Sequence, residues 1–195
     1  MLWSAVFAFV LIWSALNPVD RPTWWLEVIP AFIGAAVLAA TRKPFPLTTL
    51  LYVLILMHCI ILMVGGHYTY AKVPGFDGWF GSDRNNYDKL GHFFQGFMPA
   101  ILAREILIRR AVVKSQAWCH VFVVSICLAF SAFYELIEWW VALLSGRDAE
   151  AFLGTQGYVW DTQSDMLMAL IGAISALVLL SAWHNRQLKA FPVTP

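Results

Sequence analysis

The sequence predicts an all-α membrane protein, a polytopic bundle of about six transmembrane helices. Of the 195 residues, 60% are hydrophobic and only 13% are charged, which is too apolar for an ordinary soluble domain. Six stretches approach the roughly 20 apolar residues that a helix needs to cross a hydrocarbon core of roughly 30 Å. The formal net charge of +1 gives no electrostatic reason to expect nucleic acid as a partner.

The six apolar stretches follow one another without a second domain between them. They are 2–16, 24–40, 47–66, 90–108, 117–140 and 166–183. The first two are short and could form a hairpin that turns at Asn17-Pro18 and Arg21-Pro22. The first apolar run begins at once and lacks a convincing small-residue cleavage site, which predicts an uncleaved first helix.

The connections carry the residues that break helices. Pro44 and Pro46 separate the second and third stretches, and two longer loops, 67–87 and 145–160, each hold three glycines. These glycines are Gly75, Gly78, Gly81, Gly146, Gly154 and Gly157. Because each span is needed to cover its neighbours, we expect residues 1–195 to form one integral-membrane helical domain. Cys59, Cys119 and Cys127 lie in apolar stretches without a C-x-x-C spacing and are expected to be buried small hydrophobic residues.

The distribution of lysine and arginine predicts the orientation, since short cytoplasmic loops retain positive charge. With six spans, one side would hold Arg42, Lys43, Arg109, Arg110, Lys114, Arg186 and Lys189. The other side would hold Arg21, Lys72, Arg84 and Arg147, together with Asp77, Asp83, Asp148 and Glu150. The first side is therefore predicted to be cytoplasmic, with both termini inside and the two glycine-containing loops outside.

Three pairs of ionisable side chains stand at the edges of apolar stretches, and they form the candidate functional site. The pairs are Asp88 with His92, Glu135 with Glu138, and Asp161 with Asp165. Spacings of three or four residues place each pair on one helix face. The predicted topology brings all three pairs to the outer boundary of the membrane. Ionisable groups at membrane depth are costly and usually functional.

Each pair also has a simpler interpretation. Asp88 could be an ordinary acidic residue at a helix start, with His92 hydrogen-bonded to it, and Asp161 could be only an N-cap. Glu135 and Glu138 are harder to explain, because two carboxylates on one face repel unless a cation or a shared proton lies between them. The face of Asp165 continues through Ala169, Gly172 and Ala176, which predicts close approach to another helix.

The acidic groups lack an obvious counterion in the sequence. Arg104 lies roughly 24 Å along a helix from Asp88 and is expected to pair near the cytoplasmic surface, and Lys89 lies at the outer rim. Five carboxylates and one imidazole with little fixed positive charge suit either a divalent metal ion or a shared-proton network. Magnesium, calcium, manganese, iron and zinc all remain candidates, with Asp88, His92, Glu135, Glu138, Asp161 and Asp165 as ligands.

Further polar residues could line the mouth of such a site. Gln95 continues the face of His92, and Gln156 and Gln163 flank the start of the last span, so we expect these three amides to contact substrate. Thr155, His67 and Tyr68 are weaker candidates for the mouth. Trp139 and Trp140 are expected in an interfacial aromatic belt, and His58, His120 and His184 are expected to be packing or interfacial groups.

The assembled motifs resemble a known family. Asp-Lys-Leu-Gly-His-Phe at 88–93, Tyr-Glu-Leu-Ile-Glu-Trp at 134–139 and Trp-Asp-Thr-Gln-Ser-Asp-Met at 160–166 are similar to the VanZ-like superfamily of bacterial membrane proteins, and within it to the inner-membrane branch that includes YjdF. The resemblance covers the chain from Tyr87 onward. It implies a multi-pass protein of the bacterial inner (cytoplasmic) membrane, and it implies no reaction.

Three functions remain open from the sequence. In the first, the site binds a metal and acts on an amphiphilic or lipid-linked substrate among the membrane lipids, with Glu135, Glu138 and Asp165 as catalytic acid/base groups or ligands. The alternative is a proton-coupled small-molecule transporter or channel. The third is a hydrogen-bond network that only fixes helix packing. No G-x-S-x-G or H-E-x-x-H motif is present, so whether the protein is an enzyme is left open.

Overall fold

Six α-helices account for most of the computed structural model, which describes residues 2–78, 84–145 and 156–191. In chain order they are α1 (Leu2–Ala15), α2 (Arg21–Thr41), α3 (Thr49–Tyr68), α4 (Tyr87–Arg109), α5 (Gln116–Ser145) and α6 (Asp161–Leu188). No strand occurs in the described residues, where Asp77 and Asn85 form an isolated β-bridge. Most helices extend beyond the predicted apolar stretches, because polar residues continue each helix past its apolar part. The all-α class is confirmed.

Four of the six helices are long and apolar enough to cross a membrane, namely α2, α3, α5 and α6. The helix α1 has 14 residues and would reach only about 21 Å. The helix α4 has 23 residues but carries charged groups near both ends, including Asp88, Arg104 and Glu105. The prediction of six spans is therefore supported for four helices.

The turn between α1 and α2 lies where the sequence predicts it. Asn17 has a φ of 51°, in the left-handed region that asparagine tolerates. The side chain of Asp20 then caps α2 by accepting a hydrogen bond of 2.8 Å from the backbone N–H of Thr23. Pro22 lies in the first turn of α2, where its missing N–H costs nothing.

The Asp20 cap gives the protein a small acid-sensitive contribution to stability. Hydrogen bonds from the side chain and backbone of Thr23 hold the pKa of the Asp20 carboxyl below its ordinary value of 3.8. Since the pKa is lower in the folded chain, this stabilisation is complete above the ordinary value and is lost as the pH falls through the folded-state value. Asp20→Ala should cost about 1 kcal/mol of unfolding free energy at neutral pH.

Thermal unfolding of detergent-solubilised protein between pH 3 and pH 7 tests this expectation. Asp20→Asn is the control, because asparagine caps a helix about as well as aspartate but does not titrate in this range. The Asn variant should match the wild type at pH 7 and lose less stability toward pH 3. Equal losses in both proteins would contradict the assignment.

All six helices contribute to one hydrophobic core. Its buried members come from α2 to α6, and Trp3, Phe7, Val10 and Leu11 of α1 pack against it. The short α1 is also held by hydrogen bonds, since Trp3 Nε1 donates to the carbonyl of Tyr52 at 2.8 Å. Cys59, Cys119 and Cys127 are buried free thiols, as the sequence predicts.

The closest contact between helices joins α4 to α6, and glycines make it possible. A Cβ placed on Gly96 would lie 1.8 Å from the carbonyl oxygen of Ala169, and one on Gly172 would lie 2.0 Å from the carbonyl oxygen of Phe93. Ala169, Ala173 and Ala176 have no exposed surface. The predicted small-residue face of α6 is thus confirmed, and its partner is α4.

The predicted loop 67–87 begins with the end of α3, and its described part folds against α3 and α4. The ring of Tyr70 lies on Gly65 and Gly91, so the loop fills space between these two helices. Asn85 donates from its side chain to the carbonyl of Val73 at 2.7 Å. Gly81 in this loop, and most of the predicted loop 145–160, including Gly146, Gly154 and Thr155, lie outside the described residues.

Candidate functional site

The first turns of α4 and α6 and the later part of α5 bring the predicted residues together at one end of the bundle, here called the acidic end. Here α4 and α6 begin and α5 approaches its end. The acidic cluster consists of Asp88, His92, Glu135, Glu138, Asp161 and Asp165. Five of these six side chains are buried, with exposures between 2% and 9%, and Glu138 is half-buried. The three pairs therefore lie close together in the structure, as the sequence predicts.

The imidazole of His92 lies at the centre of the cluster. Its Nε2 atom is 3.3 Å from an Asp88 oxygen and 3.9 Å from an Asp165 oxygen. Its Nδ1 atom is 3.7 Å from Oε1 of Glu135. The ring therefore contacts carboxylates from three different helices.

Gln95 sets the orientation of the His92 proton. The side-chain oxygen of Gln95 lies 3.1 Å from Nδ1 of His92. An amide oxygen only accepts hydrogen bonds, so Nδ1 carries a hydrogen, and the lone pair of a neutral ring is then on Nε2. This lone pair points toward the oxygens of Asp88 and Asp165. Three electron-rich groups in one place repel unless a proton or a cation lies among them.

Two carboxylate oxygens at the cluster have no hydrogen-bond partner among the residues that the structure describes. They are Oε1 of Glu135 and Oδ1 of Asp165, both buried. Leaving a buried acceptor unsatisfied is costly, so these oxygens are suited to a ligand that supplies positive charge or a proton.

Two overlapping sets of side chains have the spacing to hold a metal ion. One is Asp88, His92 and Asp165, and the other is His92, Glu135 and Glu138; in each set the ligand atoms lie within 4.8 Å of one another. His92 belongs to both sets, and its two nitrogens face opposite sides. A neutral imidazole offers one lone pair, so it can serve one of these positions at a time.

The expectation of little fixed positive charge near the cluster was wrong for two of the aspartates. Arg84, just before α4, donates a short hydrogen bond to Asp161, and its other terminal nitrogen lies 3.5 Å from Asp88. The sequence contained a signal, since Arg84, Asp88 and His92 are spaced by four residues. The lysine and arginine distribution predicts Arg84 only as a residue of the outer side. Asp161 is not the N-cap of α6, because that position is Trp160.

The three predicted amides have different surroundings. Gln95 is buried and bonds to His92, whereas Gln163 is exposed on α6. Gln156 exchanges two hydrogen bonds of 2.9 Å with the backbone of Asn85, so its amide fastens the segment before α6 to the segment before α4. Tyr158 lies over Arg84 and Lys89 in the same region.

Other mouth candidates lie away from the cluster or outside the described residues. His67 donates from Nδ1 to the carbonyl of Ser14 at 2.9 Å and stacks on Trp13, which ties α3 to α1. Thr155 cannot be placed, because it lies outside the described residues. Sequence reasoning also overlooked Glu27, a buried acid of α2 that packs against Gly66 of α3. It is the lone charged residue in its apolar stretch, which was a usable signal.

A second polar network occupies the opposite end of the bundle, here called the basic end, where α4 and α6 finish and α5 begins. Glu105 accepts hydrogen bonds from Thr48, from Arg109 at 2.8 Å and from His184 at 3.0 Å. Arg104 donates to Nδ1 of His184 at 2.9 Å. His184 thus links Arg104 to Glu105, which corrects the expectation that it only packs or lies at the interface.

The fold and the acidic cluster define a membrane protein of several helices with a buried carboxylate and histidine site at one end. The chain belongs to the DUF2238 family, described as predicted membrane proteins, whose profile matches residues 1–186. It is 54% identical over 191 residues to the inner membrane protein YjdF of Escherichia coli (strain K12), covering 96% of this chain and 91% of that protein. No solved structure matches the chain. The predicted location in the bacterial inner membrane is confirmed.

Proposed function

We propose that the acidic cluster is a divalent metal site near the outer (periplasmic) leaflet that acts on an amphiphilic or lipid-linked substrate. The proposal includes six membrane spans in one domain, with both termini cytoplasmic, as the lysine and arginine distribution predicts. It also includes the VanZ-like relationship, for which the order of the three motifs is the support.

The orientation of His92 carries this proposal. Its Nε2 atom faces Asp88 and Asp165, and Oδ1 of Asp165 has no hydrogen-bond partner among the described residues. Two carboxylates and one imidazole nitrogen are the ligand types that magnesium, manganese, iron or zinc accept with water completing the shell, and calcium would add further oxygens. Of the two candidate sets, we therefore favour Asp88, His92 and Asp165. Gln95 then holds the other ring nitrogen, as an outer hydrogen-bond partner does for a ligating histidine.

Glu135 and Glu138 have a different role in this arrangement. Glu135 lies on the Nδ1 side of His92, and its unpartnered Oε1 is free to accept a proton from a water or a substrate hydroxyl. Glu138 is half-buried one turn closer to the end of α5 and can exchange that proton with solvent. A bound divalent ion would supply an activated water for hydrolysis.

The position of the cluster supports an amphiphilic substrate. It lies at the helix ends, and α5 exposes Trp139 and Trp140 in its following turn, with Leu143 and Leu144 beyond them. Such side chains are typical of the membrane interface. The polar head of an amphiphilic substrate would contact the acidic cluster, and its apolar tail would contact these exposed side chains of α5.

The closed contact between α4 and α6 favours this function over proton-coupled transport. Between Gln95 and Arg104, α4 carries only apolar residues, and Ala100 and Ile101 are fully buried. On α6 the facing Ala169, Ala173 and Ala176 are also fully buried. A proton path along this interface would need polar groups or water at that depth.

Elemental analysis of the purified protein tests the metal site. We expect stoichiometric metal in the wild type, and a loss of affinity of at least about tenfold in Asp165→Asn and His92→Ala. Gln95→Leu should weaken binding by about 10- to 100-fold, since it removes the outer hydrogen bond. Glu138→Ala should retain the metal if the favoured set is correct.

Asp77→Asn is the matched control, because Asp77 is exposed at the same end and belongs to neither set. Metal that is absent from the wild type after reconstitution with each candidate ion rejects the metal site. Incubation with a bacterial lipid extract, followed by mass spectrometry, then tests for metal-dependent products that the His92→Ala protein does not form.

The stability of Glu135→Gln separates a functional site from a purely structural network. Removing one charge from crowded carboxylates relieves repulsion, so the metal-free variant should unfold within about 1 kcal/mol of the wild type or be more stable. Thermal unfolding in detergent without added metal measures this. A loss of several kcal/mol would instead favour the network that only fixes helix packing.

A further inference from the structure

We propose that the basic end of the bundle carries a second binding site, a pocket that takes a phosphate group. The pocket is far from the acidic cluster, since α4 separates Arg104 from Asp88 by about 24 Å. It shares no residue with the proposed metal site and does not depend on that function.

The pocket is a partly open cavity of about 230 Å³ between the end of α4, the start of α5 and the end of α6. A water molecule takes up about 30 Å³ in the liquid, so the cavity can hold a much larger polar group. Its polar lining consists of Arg104, Lys114, Ser115, Gln116, His120 and Asn185. Among these residues there are two cationic side chains and no carboxylate.

Arg104 is a buried cation without an acidic partner. Its exposure is 2%, and its two terminal nitrogens donate to His184 and to Asn185, both of which are uncharged acceptors in these bonds. Its Nε atom is buried and has no hydrogen-bond partner within residues 2–78, 84–145 and 156–191. In the part of the chain that the structure describes, no carboxylate lies within 4.0 Å of Arg104. Burying an unpaired charge is costly, so an anion is expected beside it.

The neighbouring carboxylate, that of Glu105, pairs with Arg109 and not with Arg104. Glu105 forms an ion pair with Arg109 at 2.8 Å and accepts from Thr48 and His184. His184 lies between the two groups, since its Nδ1 contacts Arg104 and its Nε2 contacts Glu105 at 3.0 Å. Two guanidinium groups and one carboxylate leave the network with an excess of one positive charge.

Three further groups around the cavity suit a phosphate. Lys114 adds an exposed positive charge at the rim. His120 contributes a buried Nε2 atom that has no hydrogen-bond partner in the described part of the chain. Gln116 opens α5, so the positive end of a 30-residue helix faces the same space. Guanidinium, ammonium and helix N-terminal groups together are a common set of phosphate ligands.

A phosphate could reach this pocket from a lipid or from solution. Basic pockets between membrane helices bind the headgroups of anionic lipids, and Trp118, beside the pocket on α5, is 59% exposed, as at a lipid interface. Inorganic phosphate or a small phosphate ester would present the same chemistry. The two sources therefore require separate probes.

Native mass spectrometry of the full-length protein in detergent, titrated with short-chain phosphatidylglycerol or with inorganic phosphate, tests the proposal. We expect one bound phosphate group per chain. Lys114→Gln should weaken binding about fivefold, and Arg104→Gln should weaken it by about tenfold or more. Lys189→Gln is the matched control, because Lys189 is an exposed lysine at the same end that does not line the cavity. It should bind as the wild type does.

The probes also separate the sources. Binding of phosphatidylglycerol but not of inorganic phosphate, with the expected effect of Lys114→Gln, assigns the site to a lipid; the reverse assigns it to a soluble phosphate. Failure of both probes to bind, or binding that Lys114→Gln weakens no more than Lys189→Gln, overturns the proposal. Lys114 is exposed, so we expect Lys114→Gln to fold normally. This variant therefore tests the proposal even where Arg104→Gln fails to fold.

Discussion

Replacing Gly96 by alanine is expected to destabilise the folded bundle by about 3 kcal/mol, a large effect for one methyl group. The added carbon would lie 1.8 Å from the oxygen and 2.6 Å from the carbon of the Ala169 carbonyl. These are backbone atoms, so no side-chain rotation relieves the clash, and α4 and α6 must move apart. Gly172→Ala should behave alike, because its carbon would meet the backbone of Phe93 at 2.0 Å.

Thermal unfolding in detergent, followed by size-exclusion chromatography, measures the effect. Gly34→Ala of α2 is the matched control, since no atom lies within 4 Å of the carbon it adds. Alanine is favoured over glycine inside a helix, so this variant should be more stable by about 0.5–1 kcal/mol. Similar unfolding temperatures for the Gly34 and Gly96 variants would show that α4 and α6 do not approach so closely.

Glu105→Gln should also cost about 3–5 kcal/mol, because it breaks a buried ion pair and leaves Arg109 uncompensated. The carboxylate accepts from Thr48, Arg109 and His184, and every one of these partners is a donor. The amide nitrogen of glutamine is a donor too, so one of these contacts becomes a donor facing a donor.

Glu135→Gln, at the acidic end of the bundle, is the comparison for Glu105→Gln. Glu135 has an oxygen without a partner and lies among other carboxylates, so Glu135→Gln removes repulsion where Glu105→Gln removes attraction. Unfolding free energies for Glu105→Gln, for Arg109→Gln and for the variant that combines the two measure the coupling between Glu105 and Arg109. A cost below about 1 kcal/mol for Glu105→Gln would mean that this network contributes little.

Helix content and the central contact were predictable from the sequence because both depend on local patterns. Long apolar stretches predict helices, and the small residues Ala169, Gly172 and Ala176 at helical spacing predicted a close neighbour. The identity of that neighbour was not predictable from α6 alone. It required matching Gly96 of α4, whose backbone meets Ala169 across the contact.

The location of the acidic cluster was predictable from the sequence, but the pairing of its charged side chains was not. Side-chain spacing and the expected topology brought Asp88, Glu135 and Asp165 to one end. The pairing of Arg84 with Asp161 joins residues far apart in the sequence, and this contact depends on how the two loops fold. His92 and Gln95, by contrast, are three residues apart on α4, so their shared face was predictable, and the structure adds that Nδ1 of His92 contacts the side-chain oxygen of Gln95.

The helix α4 holds charged or titratable groups near both of its ends and is enclosed by α3, α5 and α6. Such a segment partitions poorly into lipid by itself. Its main partner, α6, follows α5 in the chain, so α4 acquires most of its packing surface only once α6 has been synthesised. We therefore expect a chain truncated after α5 to leave the charged ends of α4 without their main partner helix.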